Sequence, residues 1–66
     1  MKVLSPENTI GDYLAAREKF GFGGFPVTEN GALHSKLVGI VCSRDVDFLR
    51  DESLKLGDIM TKDLGA

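Results

Sequence analysis

Apolar and polar positions along this chain change period several times, and each change marks an element. Met1-Lys2-Val3-Leu4 is a short apolar lead-in stopped by Ser5-Pro6. Proline confines the residue before it to extended conformations, so the pattern predicts a brief strand or edge segment. Ile10, Tyr13 and Leu14 then recur at helical spacing, followed by the helix formers Ala15, Ala16, Arg17, Glu18 and Lys19, which predicts a helix over Ile10–Phe20. Thr9 with Asp12 three residues on approximates a capping box, with Asp where Glu or Gln is usual. Gly21 is placed to end the helix.

Phe25-Pro26-Val27-Thr28 reads as a short strand, with proline near its start where a missing N–H is tolerated. Glu29-Asn30-Gly31 is a hairpin turn signal, because Asn-Gly readily takes positive φ. The polar stretch through Ser35 lengthens the loop, and 36–42 is the returning strand. Within it Leu37-Val38-Gly39-Ile40-Val41 is apolar on both faces, the pattern of a buried strand. Gly39 marks close packing or the close approach of a ligand. Cys42-Ser43 then turns the chain into a second short helix, where Val46 and Leu49 lie three apart. After the polar break Asp51-Glu52-Ser53, Leu56, Ile59 and Met60 are spaced for one more helical turn, and Thr61-Lys62-Asp63 follow. The order is strand, helix, strand, strand, helix: a small α+β unit without an internal repeat.

Size changes what this pattern can support. A chain of 66 residues buries roughly 60% of the surface its unfolded form exposes, so one such unit is marginal alone. Cys42 is the only cysteine and His34 the only histidine, which leaves neither an internal disulfide nor a Cys/His metal cluster. A short chain without such staples gains from a partner surface. The net charge of −2 gives no sign of a nucleic-acid-binding surface. No apolar run approaches the ~18 residues of a membrane span. Ser5-Pro6-Glu7-Asn8 interrupts any signal-peptide pattern, and the expectation is a reducing, cytoplasmic location.

Candidate chemistry gathers where the apolar strand meets the second helix. Helix starts carry free N–H groups and partial positive charge, so this junction suits an anionic or sugar-bearing ligand. Asp45 sits in the first turn, either as a charge that favours the helix start or as an acceptor for a ribose diol. Arg44 is the candidate phosphate partner. Asp45 and Asp47 are two apart and share no helical face, and Asp51 and Glu52 read as a solvated helix end, so no carboxylate dyad is indicated. Cys42 has no histidine close in sequence to act as base and reads as a structural thiol. His34 lies in the polar hairpin loop. Gly21-Phe22-Gly23-Gly24 matches neither GxGxxG nor a Walker pattern and reads as a helix cap with an unhindered run into the next strand. Phe20, Phe22, Phe25 and Phe48 are assigned to core packing.

Gly39-Ile40-Val41-Cys42-Ser43-Arg44-Asp45 resembles the CBS signature of Gly, two apolar residues, Thr or Ser, two variable residues and Asp. More narrowly, Val3-Leu4-Ser5-Pro6, Gly21-Phe22-Gly23-Gly24-Phe25-Pro26-Val27-Thr28 and Ser43-Arg44-Asp45-Val46-Asp47-Phe48-Leu49 resemble the first CBS motif of the inosine-5′-monophosphate dehydrogenase family. CBS-containing GMP reductases share the pattern. The resemblance covers nearly the whole chain: 1–57 corresponds to one CBS motif, and 58–66 to the linker or start of a second. It implies half of a Bateman module, the paired CBS unit inserted in a TIM-barrel enzyme, where adenine or guanine nucleotides bind in clefts. Its partner would be the second CBS motif or another copy of itself, in a homo-oligomeric parent. Carried over by position, Asp45 meets the ribose, Ser43 and Arg44 the phosphate region, and Gly24 to Val27, including Phe25, the base through backbone atoms. Cys42 stands where the signature has Thr or Ser, a weaker hydrogen-bonding group. The resemblance implies no cofactor in this chain; NAD would belong to the barrel of the parent enzyme. Barrel and second motif are missing here, which implies a segment of a larger polypeptide with no catalytic residue of its own. A structural pairing module without ligand is the competing reading.

Overall fold

Helix α1 (Ile10–Phe20) of the computed structural model forms over the residues its periodicity predicts. The structure describes residues 2–62; Met1 and residues 63–66, the end of the expected lead into a second motif, lie outside them. Thr9 caps the helix in extended conformation. Its hydroxyl accepts the Asp12 N–H at 3.2 Å, and the Asp12 carboxylate accepts the Thr9 N–H at 2.9 Å. Asp therefore completes the box as Glu would, reaching back across three residues. That N–H, with the Asn8 amide, holds the Asp12 carboxyl below its ordinary pKa. At the other end Gly21 takes φ 78°, the left-handed region, and its N–H donates to the Arg17 carbonyl oxygen at 2.9 Å. Ile10, Tyr13 and Ala16 form the buried stripe.

Strands β1 (Phe25–Thr28) and β2 (Leu37–Val41) pair antiparallel, with Phe25 opposite Val41, Val27 opposite Gly39, and a bulge between Val27 and Thr28. The predicted turn is present. Gly31 has φ 80°, and the Asn30 side-chain oxygen accepts the Ala32 N–H at 3.0 Å. Two single-residue bridges widen the sheet. Leu4 runs parallel beside Val27, donating to the Pro26 oxygen at 3.0 Å and accepting from Thr28 N–H at 2.9 Å. Thr61 exchanges both backbone bonds with Ile40, at 2.9 and 2.8 Å. The lead-in is thus an edge segment, as its pattern predicts.

Helices α2 (Ser43–Val46) and α3 (Leu56–Ile59) are single turns. Val46 and Leu56 join Leu4, Ile10, Tyr13, Ala16, Phe25, Val27 and Val41 in one core. Phe25 meets Tyr13 edge to face, with ring centroids 5.7 Å apart. Gly39 is packed against its own chain: a Cβ there would lie 2.6 Å from Met60 Sδ and 3.0 Å from the Thr61 oxygen.

Two expectations are corrected. β2 is not buried on both faces: Gly39 and Val41 are buried, Val38 and Ile40 half-buried, and Leu37 48% exposed. The helices contribute one layer, over the face of Phe25, Val27 and Val41, so alternation replaces uniform burial. Of the phenylalanines only Phe25 is core. Phe20 and Phe22 flank the turn at Gly21 and are about half exposed, and Phe48, just past α2, is 91% exposed.

The segment 52–57 closes over the start of α1. Ile10 N–H donates to the Leu54 oxygen at 2.9 Å and Gly11 N–H to the Glu52 oxygen at 3.0 Å. In return Leu56 and Gly57 N–H groups donate to the Asn8 and Pro6 oxygens at 2.7 and 3.0 Å. Lys55 adds an exposed ion pair with Glu7 at 2.8 Å, which raises the lysine pKa.

Candidate functional site

Where β2 runs out, Cys42 continues extended (φ −129°, ψ 168°) and caps α2. Its N–H donates to Asp45 Oδ2 at 2.8 Å, one arm of a capping box. The reciprocal arm is a thiol, a weak acceptor, and the Asp45 N–H lies 2.9 Å from the Cys42 carbonyl oxygen. Thr61 Oγ1 donates to Asp45 Oδ1 at 3.3 Å. Both carboxylate oxygens therefore have partners. An ionised carboxylate offers about four lone-pair sites, so acceptor capacity is left for a ligand.

Ser43 opens α2 and faces the glycine loop. Its Oγ is 3.1 Å from the Tyr13 hydroxyl, which donates to the Gly23 carbonyl oxygen at 2.6 Å. A Cβ on Gly23 would run into the Ser43 hydroxyl, so glycine leaves the room in which Ser43 and Tyr13 meet. Gly24 is exposed, and a Cβ there would meet nothing within 4 Å. The Phe25–Val41 register sets Gly24 beside Cys42. Arg44 is exposed, and no described residue pairs with it.

The structure thus brings Gly24, Cys42, Ser43, Arg44 and Asp45 to one junction. Phe25 and Val27 have fully buried side chains, and β1 is flanked by β2 on one side and Leu4 on the other. Their backbone belongs to the ladder; the open backbone is that of the glycine loop. Sequence reasoning missed Tyr13 and Thr61 as members of this junction. The signal for Tyr13 was available: a buried tyrosine needs a partner for its hydroxyl, and Gly23 leaves room for one. For Thr61, contact with Asp45 depends on tertiary pairing, with no local signal.

Other chemistry finds less support. Cys42 is a half-buried free thiol and His34 is exposed in the hairpin loop. Among the described residues no group of three His, Cys, Asp or Glu could hold a metal, and no helix is long and apolar enough to cross a membrane. A groove of about 260 Å³ is lined by Lys2, Leu4, Asn8, Asp12, Lys19 and Phe20 with Ala15 and Ala16. None of the candidate residues lines it, so this groove and the candidate chemistry are separate.

An edge segment, a helix, a hairpin and two helical turns, with glycine loop and Asp45 brought to one junction, define a CBS unit. A solved structure of the CBS domains of a transcriptional regulator from Streptococcus pneumoniae superposes with TM-score 0.80 and 29% identity, over 94% of this chain and 49% of that one. An acetoin utilization protein of Vibrio cholerae shares the fold with TM-score 0.76 at 23% identity, over 96% of this chain and 48% of that one. The homologues in sequence are inosine-5′-monophosphate dehydrogenases. That of Schizosaccharomyces pombe is 52% identical over 89% of this chain, that of Toxoplasma gondii 45% over 94%, and that of Methanocaldococcus jannaschii 39% over 92%. This chain spans 11% to 12% of the length of these relatives. No protein-family model matches the chain.

Proposed function

We propose that this chain is the first CBS motif of an inosine-5′-monophosphate dehydrogenase-like enzyme, and that it binds a purine nucleotide to regulate that enzyme while catalysing nothing itself. The observation that carries the reading is the junction of glycine loop, Ser43, Arg44 and Asp45 at the end of β2. The loop offers unhindered backbone to a flat base, Asp45 offers acceptors to a ribose diol, and Arg44 offers a free guanidinium to phosphate. Residues 58–66 would lead into a second motif, whose surface walls the other side of the cleft. NAD and the oxidation of inosine 5′-monophosphate belong to the barrel of the parent, a cytoplasmic homo-oligomer. The experiment is calorimetric titration of the chain with ATP, ADP, AMP and GTP. Saturable heat with at least one of them is the expected result, and none with any, from a folded chain, contradicts the proposal.

Two observations favour the second reading, a pairing module without ligand. Asp45 is already bonded on both oxygens by Cys42 and Thr61, and half-buried Ile40 and Pro26 lie on the sheet face opposite the core. On that reading the chain dimerises in sedimentation at micromolar concentration and titrates with no nucleotide.

A further inference from the structure

The junction contains a chain of three polar groups whose geometry dictates where its protons lie. The Gly23 carbonyl can only accept, so the 2.6 Å contact must use the one proton of the Tyr13 hydroxyl. Tyr13 then has only lone pairs to offer in its 3.1 Å contact with Ser43. Ser43 must donate there, which uses its one proton as well. The Tyr13 side chain is fully buried and its ring is held against Phe25, so water does not compete for this order. Gly23 is part of the device. A Cβ there would collide with Ser43 Oγ and lie 3.2 Å from the Tyr13 hydroxyl.

We infer that Tyr13 is a specificity-determining residue: by taking the Ser43 proton it makes the Ser43 hydroxyl an acceptor toward any ligand at the junction. This deepens the proposed nucleotide site and rests on that reading. A phosphate presents acceptors only, so Ser43 does not serve the phosphate region that its position suggests. It selects a hydrogen-bond donor, an O–H or N–H of the nucleoside. Phosphate recognition falls to Arg44, whose guanidinium only donates.

The test compares adenosine with adenosine 5′-monophosphate by titration calorimetry of the full chain. Ser43→Ala should weaken both by the same factor, about three- to tenfold, the range of one neutral hydrogen bond. Tyr13→Phe frees the Ser43 proton for phosphate, so the monophosphate should gain on adenosine by a similar factor, and Ser43→Ala added to Tyr13→Phe should abolish the gain. A Tyr13→Phe ratio equal to wild type, or a Ser43→Ala loss confined to the monophosphate, overturns the inference. Proton NMR of the unliganded chain reads the order without a ligand and without a variant. The Tyr13 hydroxyl proton should show Overhauser contacts to the Gly23–Gly24 backbone, and the Ser43 hydroxyl proton to the Tyr13 ring. A Tyr13 hydroxyl proton directed at Ser43 refutes the proton order. Failure of both ligands to bind wild type, with the NMR order as stated, refutes the nucleotide reading while the relay stands.

Discussion

The starts of α1 and α2 carry the same device in two states. Each has an aspartate three residues past its cap that accepts the cap N–H, Asp12 at 2.9 Å and Asp45 at 2.8 Å. At α1 the cap is Thr9, whose hydroxyl returns a bond, and the next free N–H groups are taken by Glu52 and Leu54 carbonyls. That start is sealed by the chain itself. At α2 the cap is the thiol of Cys42, the neighbouring Arg44 is exposed, and the Asp45 carboxylate gains a 3.3 Å bond from Thr61. One capping pattern therefore serves as a closed structural joint at α1 and as the open wall of a candidate site at α2. The difference lies in what covers it.

Breaking the seal should have the largest effect on stability. Gly57→Ala places a Cβ 2.9 Å from Pro6 Cβ and 3.3 Å from its oxygen, prying the 52–57 segment from the start of α1. Overpacking of this kind costs about 1–3 kcal/mol, and thermal melting should read it as a fall of several degrees. Thr9→Ala removes one arm of the closed box and should cost about 1 kcal/mol, with nucleotide affinity unchanged. Cys42→Thr gives α2 the acceptor that α1 has. It should stabilise the chain by a fraction of about 1 kcal/mol in urea titration, the hydroxyl being directed at the Asp45 N–H.

The smallest effect is on pH dependence. Asp12 has its folded-state pKa lowered, chiefly by the Thr9 N–H. Its contribution is fully present above the unfolded-state pKa and is lost as pH falls through the folded value. Melting temperatures of Asp12→Asn should therefore show a flatter decline on acidification than wild type, converging with it at the acid end.

Local pattern made the closed half legible and left much of the open half out of reach. Thr9, Asp12 and Gly21 announce α1 within one turn of sequence, and Asn30-Gly31 announces the hairpin, because caps and turns are local chemistry. The apolar run 37–41 misled, because period alone does not tell whether a second layer covers a strand. Phe20, Phe22 and Phe48 misled for the same reason: their hydrophobicity says nothing about which side of a turn they leave by. The Tyr13–Ser43–Gly23 contact joins residues up to 30 apart in sequence, and Asp45–Thr61 joins residues 16 apart. Neither is visible until the strands are paired.

The central claim, that the open helix start holds a nucleotide through Asp45, is tested most directly at the ribose. Dissociation constants for a purine ribonucleotide and its 2′,3′-dideoxy analogue should be measured on wild type and Asp45→Asn, alongside melting temperatures without ligand. If Asp45 holds the diol, wild type prefers the ribonucleotide more than tenfold, from charge-assisted bonds worth about 1.5–3 kcal/mol. Asp45→Asn then binds both equally poorly while its melting temperature moves little. Equal binding of the two nucleotides by wild type would contradict the account and leave Asp45 as a cap alone.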